Sequence, residues 1–130
     1  MPLAKYAKFV VGVELSLEMV ERGEMNAKYN NIENIKFYQQ DLSKDLDNNF
    51  LKQYKFNKVL LDPARLGAKE IIPFILALNP EKILYISCNP ATFARDAGIF
   101  ILNGYNISVI RLLDMFPHTS HVETIALFEK

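Results

Sequence analysis

Cysteine occurs once in the 130 residues, at position 88, so the chain can form no internal disulfide and shows no sign of an oxidising compartment. Glycine and proline are sparse, at 5 and 6 residues, which argues against a disordered or low-complexity chain. An excess charge of either sign is missing as well, because 15 Lys+Arg balance 15 Asp+Glu. That removes the electrostatic footprint of a protein that holds nucleic acid mainly through its phosphates, so any such grip is local or supplied elsewhere. No apolar run approaches the roughly 20 residues that cross a bilayer, which excludes a membrane-spanning role. The opening MPLAKYAKFV lacks the apolar stretch of a secretory signal. These absences predict a cytoplasmic protein, and the chain has no internal repeat.

What is there is globular: half the residues are hydrophobic, and the length suits one core, so a single domain over 1–130 is expected. Short apolar, β-branched runs alternate with helix-period segments, the pattern of an α/β fold with a largely parallel sheet. The strand candidates are Lys8 to Leu15, Ile35 to Asp41, Phe56 to Asp62, Lys82 to Cys88, Tyr105 to Asp114 and Val122 to Glu129. Ser16 can cap a helix to about Asn30, with Leu17, Val20 and Met25 as its buried face. A second helix is predicted over Ala68 to Leu78, with Pro73 near its start. Asn89 and Pro90 cap and open a third, which runs to about Leu102 and ends at Asn103 and Gly104. The last two strands are joined by a non-helical stretch and should pair antiparallel, closing a doubly wound sheet of Rossmann type.

Ligands of open parallel sheets bind beyond the carboxyl ends of the strands. Four reactive side chains are expected there: Glu14, Asp41, Asp62 and Cys88 end the first four strands in turn. Singly, Glu14 or Asp41 can be read as an acid that caps the following helix. Together they also suit a nucleotide, with Glu14 accepting from ribose hydroxyls and Asp41 reaching adenine. Cys88 can be a small buried hydrophobe. Its position at a strand end and directly before a capped helix instead favours a thiolate nucleophile, because backbone N–H groups and the macrodipole converge there.

The runs LLDPARLGA (60–68), ILYISCNPATFARD (83–96) and LLDMFPHTSHVETIALF (112–128), with VVGVELSLEMVERGEMNAKYNNIENIKF (10–37) upstream, resemble the RNA uracil-C5 methyltransferases over essentially the whole chain. The DPAR form at Asp62 to Arg65 is similar to the bacterial branch that acts on 23S ribosomal RNA. The resemblance implies a class I methyltransferase fold, S-adenosylmethionine as cofactor and RNA as partner. It implies Cys88 as nucleophile, Glu123 as proton-abstracting base, and Asp62 as a residue that helps hold base or cofactor. A thiolate adding to uracil C6 makes C5 nucleophilic, which the chemistry requires. The target uridine must be unstacked to reach the pocket. Arg65 is a candidate phosphate contact, more so than Arg95. Phe116 can stack on a base or sit in the core, and His118 and His121 order a loop or touch RNA. One cysteine and no clustered acids beyond Glu123 predict no metal site.

A complete member of this family carries a glycine-rich turn after its first strand, and none is present here. MPLAKYA looks like the tail of the helix that follows that turn, so the sheet is expected to be truncated at its amino-terminal side and to lack its central strand. An oligonucleotide-binding barrel and an iron–sulfur cluster belong to the missing amino-terminal region, since one cysteine ligates no cluster. This polypeptide alone is therefore expected to methylate poorly. Two exposed sheet edges would invite a homodimer or strand exchange. The alternatives are a folded but inactive piece serving as a binding or structural module, and a cysteine hydrolase using Cys88, His118 and Glu123.

Overall fold

The structure, a computed structural model, describes residues 2–42, 44, 53–115, 118 and 122–130. The chain divides into two compact units, Met1–Asp47 and Asn48–Lys130.

The first unit holds a 3-10 helix over Pro2–Lys5, strand β1 (Val10–Glu14), helix α1 (Leu17–Tyr29) and strand β2 (Ile35–Gln39). The strands pair in parallel, from Val10 opposite Ile35 to Glu14 opposite Gln39. A parallel pair needs a crossover to bring the chain back to its starting end, and α1 is that crossover. Ser16 caps α1 as expected, its Oγ accepting from the Met19 N–H at 3.4 Å.

The buried face of α1 differs from the expected one. Val20 and Ala27 are buried, whereas Leu17 and Met25 are 51% and 62% exposed. For Met25 the reason is angular, whereas Leu17 is exposed as the first residue of the helix. Val20, Gly23 and Ala27 follow the three- and four-residue spacing of one helical face, while Met25, five residues past Val20, lies about 140° away at 100° per residue. Gly23 belongs to the packing face because a Cβ there would stand 3.0 Å from the Phe37 ring of β2, and one at Gly12 of β1 only 2.7 Å. The cost of a glycine inside a helix, about 0.5–1 kcal/mol, is offset by the seat it leaves for that ring.

The second unit contains β3 (Lys58–Leu61), helix α2 (Ile72–Leu78), β4 (Lys82–Ser87), helix α3 (Pro90–Leu102), β5 (Asn106–Leu113) and β6 (Glu123–Glu129). The sheet order is β3-β4-β6-β5, with β3 and β4 parallel and β6 antiparallel to both neighbours. The antiparallel closing pair is therefore present, but its final strand lies inside the sheet rather than at the edge. Burial explains the order: Thr124, Ala126 and Phe128 of β6 are buried, whereas β5 is exposed at every residue.

In place of one continuous sheet, the described strands form a two-stranded parallel sheet and a four-stranded mixed one. Among the described residues β1 pairs only with β2 and β3 only with β4, so each keeps an open edge of the kind that accepts a further strand. No helix among the described residues is long and apolar enough to cross a membrane.

Ile83, Tyr85 and Ser87 of β4 join the buried residues of β6 on one sheet face, and α3 covers it with Phe93, Ala97 and Phe100. Phe93 meets Tyr85 edge-on at 5.7 Å between ring centroids, and Phe100 packs on Phe128 at 5.2 Å and Tyr105 at 6.0 Å. Fully burying one such ring contributes about 1.5–3 kcal/mol. Helix α2 begins at Ile72, four residues later than expected, which makes Pro73 its second residue. A start at Ala68 would have set the proline ring against the carbonyl of Lys69 inside the helix, whereas a first-turn proline loses no bond.

Candidate functional site

Cys88 is the first residue past β4. The Ser87 hydroxyl spans it, accepting from the Asn89 N–H at 3.1 Å and donating to the Asn89 carbonyl at 3.0 Å, which fixes the turn that carries the thiol. Asn89 Oδ1 accepts from the Ala91 N–H at 3.0 Å and so caps α3, with Pro90 in the first turn. The thiol is free and only half-buried, unlike the inert core cysteine that the sequence also allowed.

The β4–β6 ladder ends with Ser87 opposite Thr124. Cys88 follows Ser87 in a bend, and Glu123, which precedes Thr124 and heads β6, pairs on its other side with Leu113. Facing residues of an antiparallel ladder stand about 4.5–5.5 Å apart at Cα and send their side chains to one face. Ser87 and Thr124 are buried beneath α3, so alternation turns Glu123 to the opposite face, and Glu123 and Cys88 are both half-buried. Asp62 is exposed and lies one step past Leu61, which faces Tyr85 of β4. Asp62, Cys88 and Glu123 thus share the carboxyl end of the parallel strands in this sheet, the end at which such sheets take ligands.

The loop between Asp62 and Ala68 is gripped through its backbone by side chains at the start of α3. Asn89 Nδ2 donates to the Arg65 carbonyl at 3.2 Å, and Thr92 Oγ1 lies at the same distance from it. Arg95 Nη2 donates to the Leu66 carbonyl at 2.9 Å and pairs with Asp96 at 2.8 Å. Arg95 is thereby a loop clamp rather than the phosphate contact considered from the sequence. The Arg65 side chain is exposed at the end of β3. Burial, with the hydrogen bond to Asp96, holds the Tyr85 phenol well above the usual tyrosine range, so this hydroxyl remains a donor.

Gly67 closes the loop at φ +83°, where an added Cβ would meet Arg95 Nη2 and Asp96 Oδ2 at 2.6 Å each. Gly67→Ala is expected to destabilise the second unit by about 1–3 kcal/mol through left-handed strain and the clash. A urea midpoint equal to that of the wild type would contradict this.

In the first unit, Glu14 is exposed at the end of β1 and its Oε1 accepts from the Ser16 N–H at 3.1 Å, which is the capping behaviour that the sequence left open. Asp41 follows β2 by two residues and pairs with Lys44 at 3.0 Å. Both acids flank the carboxyl ends of the β1–β2 pair. His118 is exposed, with φ +71°. Phe116 and His121 lie outside the described residues.

Asp96 was missed by the sequence reading. Its signal is its spacing: Phe93, Asp96, Ala97 and Phe100 form one buried stripe of α3, so an acid occupies a core position. An acid on an apolar stripe announces a buried partner.

A family model described as tRNA (Uracil-5-)-methyltransferase matches residues 1–130. The 23S rRNA (uracil(1939)-C(5))-methyltransferase RlmD of Vibrio parahaemolyticus is 52% identical over 130 residues, which is all of this chain and 30% of that protein. RlmD of Alcanivorax borkumensis is 49% identical over 129 residues, covering 99% of this chain and 29% of its own. The chain therefore spans about 30% of the length of the curated relatives it matches. Among solved structures, the tRNA (uracil-54, C5)-methyltransferase of Pyrococcus abyssi, in complex with S-adenosyl-L-homocysteine, superposes with a TM-score of 0.79 at 33% identity, over 98% of this chain and 30% of that one. TrmK of M. capricolum, at 12% identity and a TM-score of 0.65 over 95% of this chain and 52% of its own, shares the fold alone. With the match running from the first residue to the last, the chain belongs to the tRNA (uracil-5-)-methyltransferase family and has the α/β fold of class I methyltransferases.

Proposed function

We propose that this chain is the catalytic portion of an S-adenosylmethionine-dependent enzyme that methylates C5 of a uridine in 23S ribosomal RNA through a covalent bond to Cys88. The observation that supports the reading is that the β4–β6 ladder ends with Ser87 opposite Thr124, the residues that adjoin Cys88 and Glu123 in sequence. The Cys88 thiolate adds to C6 of the uracil, and electron density moves onto C5. S-adenosylmethionine supplies the electrophilic methyl group that C5 takes up. Glu123 then removes the C5 proton, and the electron pair left behind restores the ring double bond as the Cys88 sulfur departs from C6. Arg65, Phe116 and His118 are the proposed RNA contacts, and Asp62 steadies the base or the cofactor.

The residues at the end of the β1–β2 pair fit the cofactor chemically. A ribose diol and an adenine amino group are hydrogen-bond donors, and Glu14 and Asp41 are acceptors at adjoining strand ends. Glu14 uses Oε1 for the Ser16 N–H, leaving Oε2 for a ribose hydroxyl. Incubating the native protein with labelled S-adenosylmethionine and unmodified 23S rRNA, then digesting to nucleosides, is expected to give 5-methyluridine. Label in any other nucleoside would sink the reaction assignment, and label in transfer RNA alone would sink the substrate assignment.

A further inference from the structure

We infer that Asp96 is a positioning residue for the Cys88 site, its buried carboxylate holding the Asp62–Ala68 loop in register with the start of α3. The inference rests on the proposed covalent chemistry at Cys88, because it concerns the loop that carries Asp62 and Arg65 and is bonded to Asn89, the residue after that cysteine. Asp96 is fully buried, and its carboxylate accepts three hydrogen bonds and pairs with the Arg95 guanidinium. Oδ2 accepts from the Ala68 N–H and the Tyr85 hydroxyl, each at 2.7 Å. Oδ1 accepts from Arg95 Nε at 2.8 Å, and Arg95 Nη2 stands at the same distance as an ion pair. One carboxylate therefore ties together the loop, strand β4 and helix α3.

Packing alone gives no reason for an acid at this position. Phe93, Ala97 and Phe100 fill the same stripe with apolar groups, and replacing a buried ionic cluster by an apolar residue of similar volume is often neutral or stabilising. What an apolar residue cannot do is accept the Ala68 N–H and orient Arg95 toward the Leu66 carbonyl. The carboxylate thus fixes the loop backbone at its distal end, while Asn89 and Thr92 hold the Arg65 carbonyl at the start of α3. An amide at position 96 offers one acceptor oxygen in place of two, so it leaves one pair of donors facing an NH2 group.

The test compares native wild type with Asp96→Asn in two measurements: hydrogen exchange across residues 62–68, and the single-turnover rate constant of adduct formation with RNA containing 5-fluorouridine. Exchange in the loop is expected to speed up by about ten-fold or more, the scale of a lost hydrogen bond to a charged group, while β4 and β6 stay protected. The rate constant is expected to fall about ten-fold. A merely structural role lowers the amplitude, through loss of folded protein, and leaves the rate constant unchanged. Unchanged loop exchange, or a loosened loop with an unchanged rate constant, overturns the inference. If Asp96→Asn does not fold, the same two readings on Tyr85→Phe, which removes one donor and keeps the carboxylate, decide it in the same way. A wild type that forms no adduct sinks the methyltransferase reading and this role with it. An adduct in the wild type that is insensitive to Asp96 sinks this role alone.

Discussion

Cys88→Ala is expected to abolish the covalent adduct with 5-fluorouridine RNA and to lower methyl transfer by about 10⁴-fold or more, the scale seen when an enzyme loses its nucleophile. Fluorine at C5 cannot leave as a cation, so an enzyme that adds sulfur to C6 stays bonded to such RNA. The chain contains one thiol, and removing it leaves nothing of like reactivity at the end of β4. The substitution should be nearly silent in stability. The turn around position 88 is built by Ser87 and Asn89, and α3 keeps its cap. An unfolding midpoint close to that of the wild type is therefore part of the expected result. An adduct that resists denaturing electrophoresis in the alanine variant would end the case for this nucleophile.

Glu123→Gln is expected to behave in the opposite sense. The amide keeps the shape of the side chain at the head of β6 and cannot take the C5 proton, so the bond to Cys88 should form on ordinary RNA and fail to break. Loss of a general base costs about 10²–10⁴-fold in turnover. The expected outcome is a slowly resolving complex of protein and methylated RNA, seen as a shifted band that requires Cys88. A variant that turns over at the wild-type rate, or is slow without accumulating adduct, would remove Glu123 from the chemistry. The pairing of Glu123 with Leu113 across the β5–β6 ladder is through the backbone, so the strand is not expected to shift.

Much of the fold was legible because local chemistry and tertiary packing agree. All six strands appear within the expected runs, shortened at one or both ends by one or two residues. The caps at Ser16 and Asn89 appear as hydrogen bonds to Met19 and Ala91. Illegible features depended on partners distant in sequence. The buried face of α1 turned on the Phe37 ring, which needs Gly12 and Gly23 on either side of it. The clamp function of Arg95 turned on a buried acid beside it and a carbonyl in another loop, and an arginine by itself looks like a surface residue. Glu14 had two readings, and the local one is visible in its bond to Ser16.

By itself the sequence determined the alternation of strands and helices, the caps and the chemical identity of the candidate groups, because periodicity, turn residues and a lone thiol act over a few neighbours. Only the tertiary structure decided which strand lies inside the second sheet and that the head of β6 meets the end of β4 that precedes Cys88. It alone decided that Asp96 binds the Asp62–Ala68 loop from within the core. Ladder register and the filling of a buried carboxylate are set by groups tens of residues apart, and no local preference encodes which of them meet.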